Sequence, residues 1–261
     1  MTGEPLTAGR PWCTGAALGT ILLVLGLAWI DAASPAAGSL GSAGGTPVGA
    51  GHEPVGCASR PGAVAAHGPR SRDDVALSFD DGPSLTQTPA ILAILDRLHA
   101  KATFFEEGRH VHGREALMRR IVAGGDEIGN HSYHHPRDPG YGELAATDRR
   151  IHAATGFEPC LFRPPYGLVD NRVTAAARRA RLEMVLWSVD SHDDRDPGVE
   201  AIRANAVRFA EPGSIVLMHD GGHHPQTVRA LPAVIRGLRS RGLRLVTVTD
   251  LLGGHFTFAR R

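Results

Sequence analysis

An excess of charge of one sign is missing from this 261-residue chain: its 28 lysine and arginine residues are matched by 27 acidic ones, for a formal net charge of +1. A nucleic-acid surface is therefore not expected, because it needs concentrated positive potential. Aromatic residues are scarce at 5%, lysines are few, and there are only three cysteines. No Gly-x-Gly-x-x-Gly turn follows the first apolar run of the folded part, which argues against a dinucleotide-binding open sheet. One histidine pair and one adjacent carboxylate pair are also too few ligands for the two-metal clamp common in phosphoryl chemistry. What is present, 42% apolar and 21% charged residues, fits one ordinary globular domain plus an additional segment.

The additional segment is an apolar run near the N-terminus. Residues Cys13–Ile30, CTGAALGTILLVLGLAWI, carry no charge, with Arg10 before them and Asp31 after. Positive-inside logic puts the N-terminus in the cytoplasm and everything downstream outside it. Trp12 and Trp29 bracket the run at roughly 26 Å, near the thickness of a hydrocarbon core. A cytoplasmic segment 1–13 and a single-pass membrane helix over 14–30 are expected. The rival is a cleaved signal, since Ser34–Ala36 offers small residues and a secreted chain would begin near Ala37. Residues 31–71 are dominated by Ala, Gly, Ser and Pro without apolar periodicity and read as a flexible linker. With Cys13 inside the apolar run, Cys57 and Cys160 are left either as a disulfide pair or as two free thiols.

From 72 to 253 the pattern alternates, with 254–261 as a tail. Apolar runs predict strands at 75–79, 102–105, 127–130, 161–163, 183–187, 214–218 and 244–248. Helical patterns lie between them at 87–99, 114–123, 142–154, 171–180, 199–210 and 226–240. Near-continuous apolar strands interleaved with helices mean an α/β fold with a parallel sheet and helices outside it. About seven strands fit either an incomplete (β/α) barrel or an open doubly wound sheet.

The polar residues fall at strand carboxyl ends: DDG after the first strand, HSYHH after the third, RPPYG after the fourth, WSVDSHDD after the fifth and HDGG after the sixth. In a parallel barrel those ends form one face, where substrates bind. Within HSYHH, His131 can share a cation with His134 or with His135, and spacing leaves both open. A carboxylate from Asp80 or Asp81 would complete a site of two histidines and one aspartate with open positions, a catalytic rather than structural zinc arrangement. Arg163, before two prolines, can pair with a carboxylate, and His219 ends an apolar strand where a general acid can sit. Each piece alone has a plainer reading: a turn, solvated histidines, a surface arginine, a satisfied core histidine.

Taken in order, SFDDG, HSYHH, RPPYG, DSHDD and LMH resemble the five motifs of the polysaccharide deacetylase family, also called the NodB homology domain or carbohydrate esterase family four. The likeness covers roughly residues 72–253. It implies a distorted, incomplete (β/α) barrel, a divalent cation, usually Zn2+ with Co2+ as a possible substitute, and hydrolysis of N-acetyl or O-acetyl groups on polysaccharides. It also implies that Asp80 is the general base, that Asp81, His131 and His135 hold the metal, and that Arg163 orients Asp80. By the same resemblance the Tyr166 backbone N–H faces the oxyanion, Pro165, Tyr166 and Leu217 border the substrate, and His219 is the acid, oriented by Asp193. Two departures stand out. Asp194 occupies the place of the family's tryptophan, so an apolar wall beside His219 can be missing, and Glu106 and Glu107 follow ATFF where at least one apolar residue is usual, and are expected at the surface, either lining the groove or facing water.

The expected function is metal-dependent removal of N-acetyl groups from a polysaccharide or oligosaccharide outside the cytoplasm, either peptidoglycan or a chitin-like N-acetylhexosamine chain. The alternatives are an O-acetyl esterase on a xylan-like polysaccharide and an exported carbohydrate-binding protein with impaired catalysis. The expected partners are that glycan and, through the N-terminal helix, the membrane.

Overall fold

The computed structural model describes residues 52–54, 60–254 and 258–260. The segments expected as cytoplasmic N-terminus and membrane helix lie outside these residues, as do Cys57 and most of the linker. Among the described residues no helix is long and apolar enough to cross a membrane. Cys160 is disulfide-bonded; whether its partner is Cys57, one of the two readings of the sequence, falls outside the described residues.

The strands are β1 (His52–Pro54), β2 (Val64–Ala65), β3 (Asp74–Asp80), β4 (Ala102–Glu106), β5 (Glu127–Asn130), β6 (Leu161–Phe162), β7 (Glu183–Val185), β8 (Val189–Asp190), β9 (Ile215–His219), β10 (Arg244–Val246) and β11 (Phe258–Arg260). The helices are α1 (Gln87–Leu98), α2 (Gly108–Val111), α3 (Glu115–Ala123), α4 (Tyr141–Thr155), α5 (Asn171–Ala180), α6 (Val199–Arg208), α7 (Pro225–Ser240) and α8 (Val248–Leu251). All seven expected strands are present, several shortened, and each expected helix is present within two residues at either end. The expected linker ends earlier than residue 72, because β2 pairs in parallel with β7 and His67 bridges to Ser214. β1 pairs antiparallel with β11, inside the segments read as linker and tail.

The main sheet is parallel in the order β2-β7-β6-β5-β4-β3-β9-β8, with β10 joining the start of β3. β7 and β8 stand near opposite margins of that order, yet only Leu186–Ser188 separates them in the chain. The Leu186 N–H donates to Ala65 O on one margin and the Ser188 N–H to Ile215 O on the other. A sheet whose two margins are bridged by three residues must curl, and the architecture is a curled, incomplete α/β barrel.

Strand alternation sorts the side chains. Val75, Leu77 and Phe79 of β3 join the core beneath the helices, where Phe79 stacks on Phe104 at 5.2 Å. Ala76 packs instead in a smaller cluster with Phe105, Val185, Ile215 and the α8 residues Val248 and Leu251. Gly129 lets Phe105 fill that space, since a Cβ there would lie 2.4 Å from the ring. α8 is locked to the strand starts by buried Glu127, which accepts from Thr103 Oγ1 at 2.9 Å, the Thr249 N–H at 3.0 Å and the Thr249 hydroxyl.

Burial pushes the Glu127 carboxyl from its ordinary 4.5 to about 7, despite those donors. A carboxyl with a raised folded-state pKa holds its proton more tightly when folded. Its stabilising effect is full below about pH 4.5 and is lost as pH rises through about 7. Glu127→Gln should therefore flatten the fall in melting temperature over that window, followed by circular dichroism; an unchanged slope would place the pH dependence elsewhere.

Candidate active site

β3 ends at Asp80, and Asp81 turns away from the strand with a left-handed φ of 72°. Asp80 is 3% exposed and meets the fully buried Arg163, whose Nη1 donates to Asp80 Oδ1 at 2.7 Å and to Ser78 Oγ at 2.9 Å. The same guanidinium donates from Nε to Val185 O at 3.2 Å and from Nη2 to Leu186 O at 3.3 Å. Burial lowers the Arg163 pKa and the Asp80 charge opposes that effect.

His131, after β5, donates from Nδ1 to Arg163 O at 2.7 Å, which leaves Nε2 as the lone-pair atom facing the carboxylates. That Nε2 lies 3.2 Å from Asp81 Oδ1 and 3.8 Å from Asp80 Oδ2. His135 Nε2 is 3.5 Å from the same Asp81 oxygen. One ligand atom each from Asp81, His131 and His135 lies within 4.8 Å of the others. His134 leaves this cluster: its side chain is 63% exposed and its Nδ1 donates to Glu143 Oε1 at 2.9 Å. The pair that spacing left open is thus His131 with His135. Burial would raise the Asp81 pKa, but the neighbouring His131, with His219 and His135, holds it far below the carboxylate range. Burial and the neighbouring His131 push His135 down.

The segment 107–110 clasps the Asp81 turn and the histidine loop to each other. Glu107 N–H donates to Gly82 O at 2.9 Å and His110 Nδ1 to Asp81 O at 3.0 Å, while Gly108 and Arg109 N–H donate to Ser132 O and Tyr133 O at 3.0 and 3.2 Å. A Cβ at Gly108 would lie 2.5 Å from the Tyr133 ring, so the close approach needs glycine. Glu106 and Glu107 neither line a groove nor face water: both are buried. Glu107 pairs with Arg109 at 2.5 Å, and burial together with Asp220 pushes the Glu106 carboxyl well above its ordinary value.

Across the cavity, His219 Nδ1 donates to Asp193 Oδ1 at 2.8 Å, and Asp193 Oδ2 accepts the His219 N–H at 2.8 Å and the Thr227 hydroxyl at 2.6 Å. Burial disfavours the His219 charge, but the Asp193 bond and charge, with Asp80 and Asp81, raise its pKa to about 10. Asp80, Asp81, His131, His135, Tyr166, Leu217 and His219 share one cavity of about 380 Å³. Tyr166 is 56% exposed and its ring meets His135 edge-on at 4.6 Å. Pro164 lines the cavity, whereas Pro165 is buried. Asp194 is exposed at the rim, and Trp187 contributes an aromatic wall.

Several contributors were not found in the sequence. Trp187 sits in a run read as strand, Ser78 is simply an inward position of β3, and Thr227 belongs to the first turn of α7. Only the position of Ser78, two residues before Asp80 on the same strand face, carried a usable signal.

The polysaccharide deacetylase family model matches residues 67–185. A peptidoglycan-N-acetylglucosamine deacetylase of Bacillus cereus is 38% identical over 199 residues, covering 73% of this chain and 93% of that protein. The crystal structure of the Bc1960 peptidoglycan N-acetylglucosamine deacetylase superposes with a TM-score of 0.71 at 32% identity, covering 76% of this chain and 95% of that one. BA3943, described as a CE4 family pseudoenzyme from Bacillus anthracis, superposes with a TM-score of 0.68 at 32% identity, over 74% and 70% of the two chains.

Arg163→Met leaves Asp80 buried without its cation, so urea unfolding should show a loss of about 3–5 kcal/mol. Adding Asp80→Asn should recover part of that loss. A stable Arg163→Met protein would mean that Asp80 finds another partner.

Proposed function

The chain belongs to the polysaccharide deacetylase family, and we propose that it is an active, metal-dependent deacetylase of N-acetylglucosamine residues in peptidoglycan, working outside the cytoplasm. The observation that carries this reading is the convergence of the Arg163–Asp80 pair, the Asp81–His131–His135 cluster and the His219–Asp193 pair on one cavity. A likeness to a pseudoenzyme as well as to a deacetylase means that fold alone does not decide activity, and the residues must. The substrate follows the curated relative, and an extracytoplasmic site is supported by the apolar run at 14–30 and by a disulfide at Cys160.

The donor set fits a divalent cation such as Zn2+ or Co2+. Asp81 Oδ1 is buried with no hydrogen-bond partner, and His131 presents Nε2 because its Nδ1 is committed to Arg163 O. Two imidazole nitrogens and one carboxylate oxygen suit zinc with positions left open. When bound there, the cation acts as a Lewis acid toward the acetyl carbonyl and makes water a competent nucleophile at neutral pH.

The protein's own groups supply the proton transfers. Arg163 pairs with Asp80 and fixes its carboxylate, and Asp80 accepts a proton from the attacking water. Oxygen bonds to the acetyl carbon, and the Tyr166 N–H donates to the oxyanion as charge develops. The C–N bond then breaks, and His219 delivers its Nε2 proton to the departing nitrogen, because an amine anion is a prohibitive leaving group. Acetate and a free amine result. Asp193 holds the ring through Nδ1 and favours its protonated form.

Two measurements check these assignments. His135→Ala should abolish stoichiometric zinc while His134→Ala retains it, read by metal analysis after dialysis; the reverse would reject this ligand set. Asp80→Asn should keep zinc yet lose nearly all acetate release from peptidoglycan. His219→Ala should lose much less on an aryl acetate, whose leaving group needs little protonation; equal loss on both would make His219 a substrate-positioning residue. Acetate release confined to chito-oligomers or acetylated xylan would move the substrate to those glycans.

A further inference from the structure

The loop that carries His131 and His135 is held by its backbone amides. His131 N–H donates to Glu106 O at 3.0 Å, Ser132 N–H to Asn130 Oδ1 at 2.7 Å and His135 N–H to Ser132 Oγ at 3.1 Å. The two remaining amides between the ligands, those of Tyr133 and His134, donate to a single atom, Glu143 Oε2, at 3.0 and 2.8 Å. The other Glu143 oxygen takes the His134 Nδ1–H at 2.9 Å. Glu143 comes from the first turn of α4, an element none of whose residues lines the cavity.

This loop has two residues that resist its shape. Ser132 (φ 62°) and His135 (φ 60°) are left-handed, and left-handed backbone at a non-glycine residue persists only where its surroundings hold it. Two convergent N–H groups on one carboxylate oxygen are such a restraint, and charge-assisted hydrogen bonds are the stronger kind. Burial would raise the Glu143 pKa, but His134 and the two amides pull it below the usual glutamate range, so the acceptor stays ionised.

We infer that Glu143 is a positioning residue for metal binding: by gripping the Tyr133 and His134 amides it sets the bend that brings His135 beside Asp81. It touches neither substrate nor ligand atom and acts through the loop. His134, the histidine left out of the cluster, serves as a lesser second tie to the same carboxylate. This inference rests on the metal reading above, and the test separates the two.

The full-length protein and its Glu143→Ala, Glu143→Gln and His134→Ala variants would be titrated with zinc against a chromophoric chelator, and the cobalt-loaded forms compared by visible absorption. The metal-free proteins would be melted in parallel. Glu143→Ala should weaken zinc binding about 10–100-fold and change the cobalt band, with the metal-free melting temperature nearly unchanged. Glu143→Gln keeps an oxygen for both amides and should recover most of the affinity, and His134→Ala should stay close to the parent. Wild-type affinity and spectrum in Glu143→Ala would overturn the inference, as would a Gln variant no better than Ala. A Glu143→Ala protein that does not fold would assign Glu143 to the stability of the domain instead. Failure of the unaltered protein to bind zinc would reject the metal reading itself.

Discussion

A guanidinium inside a barrel is the constraint on which the site depends. Arg163 is fully buried, and a buried charge without partners costs several kcal/mol. Its neutralisation comes from Asp80, and its remaining N–H groups go to Ser78, Val185 O and Leu186 O. Its ring neighbour Phe105 lies 4.1 Å below the guanidinium carbon. The side chain therefore ties β3 to the segment that leaves β7. Its carbonyl meanwhile fixes the tautomer of His131. One residue fixes Asp80, supports the margin of the curl and orients a metal-ligand candidate, so these properties cannot vary independently.

Much of this arrangement was legible in the sequence, and the reason is periodicity. Parallel strands buried on both faces read as apolar runs, and their order places DDG, HSYHH, RPPYG and HDGG on one face without knowledge of any angle. The strand starts expected at Val75 and Ala102 lie within one residue of those observed, Asp74 and Ala102, because an apolar run begins at each. Choosing His135 over His134 was not possible from spacing, since it depends on left-handed turns at Ser132 and His135 that side-chain chemistry does not announce. β8 was likewise invisible: Val189 and Asp190 form two residues of strand that exist only because β9 offers an edge. The early end of the linker has the same origin, as Val64 and Ala65 are strand through pairing with Met184 and Val185.

The replacement of a tryptophan by Asp194 acquires a physical account from the cavity wall. The apolar surface that a tryptophan would bring beside His219 comes instead from Trp187 and Leu217, which line the same cavity. Asp194 stands at the exposed rim, with a carboxylate oxygen within 4.8 Å of ring and carboxylate atoms of His219 and Asp193. Glu106 and Glu107 show the opposite pattern: two acids expected at a surface are enclosed, because the segment they begin must pass directly behind both loops that present the cluster.

The left-handed residues of this domain fall into two kinds. His99 and Arg181 end α1 and α5, where such a conformation closes a helix. Asp81, Ser132, His135 and Tyr166 instead border or support the cavity, with φ between 59° and 72°, and His192 and Asp196 flank the turn that carries Asp193. Each stores about 1 kcal/mol or more relative to an unstrained backbone. At these positions selection for thermal tolerance and selection for turnover pull in opposite directions, since a glycine would relax the chain and remove the group that the strain presents. The sequence that melts highest is therefore not the sequence that works best, and the difference is concentrated in a handful of peptide units around one cavity.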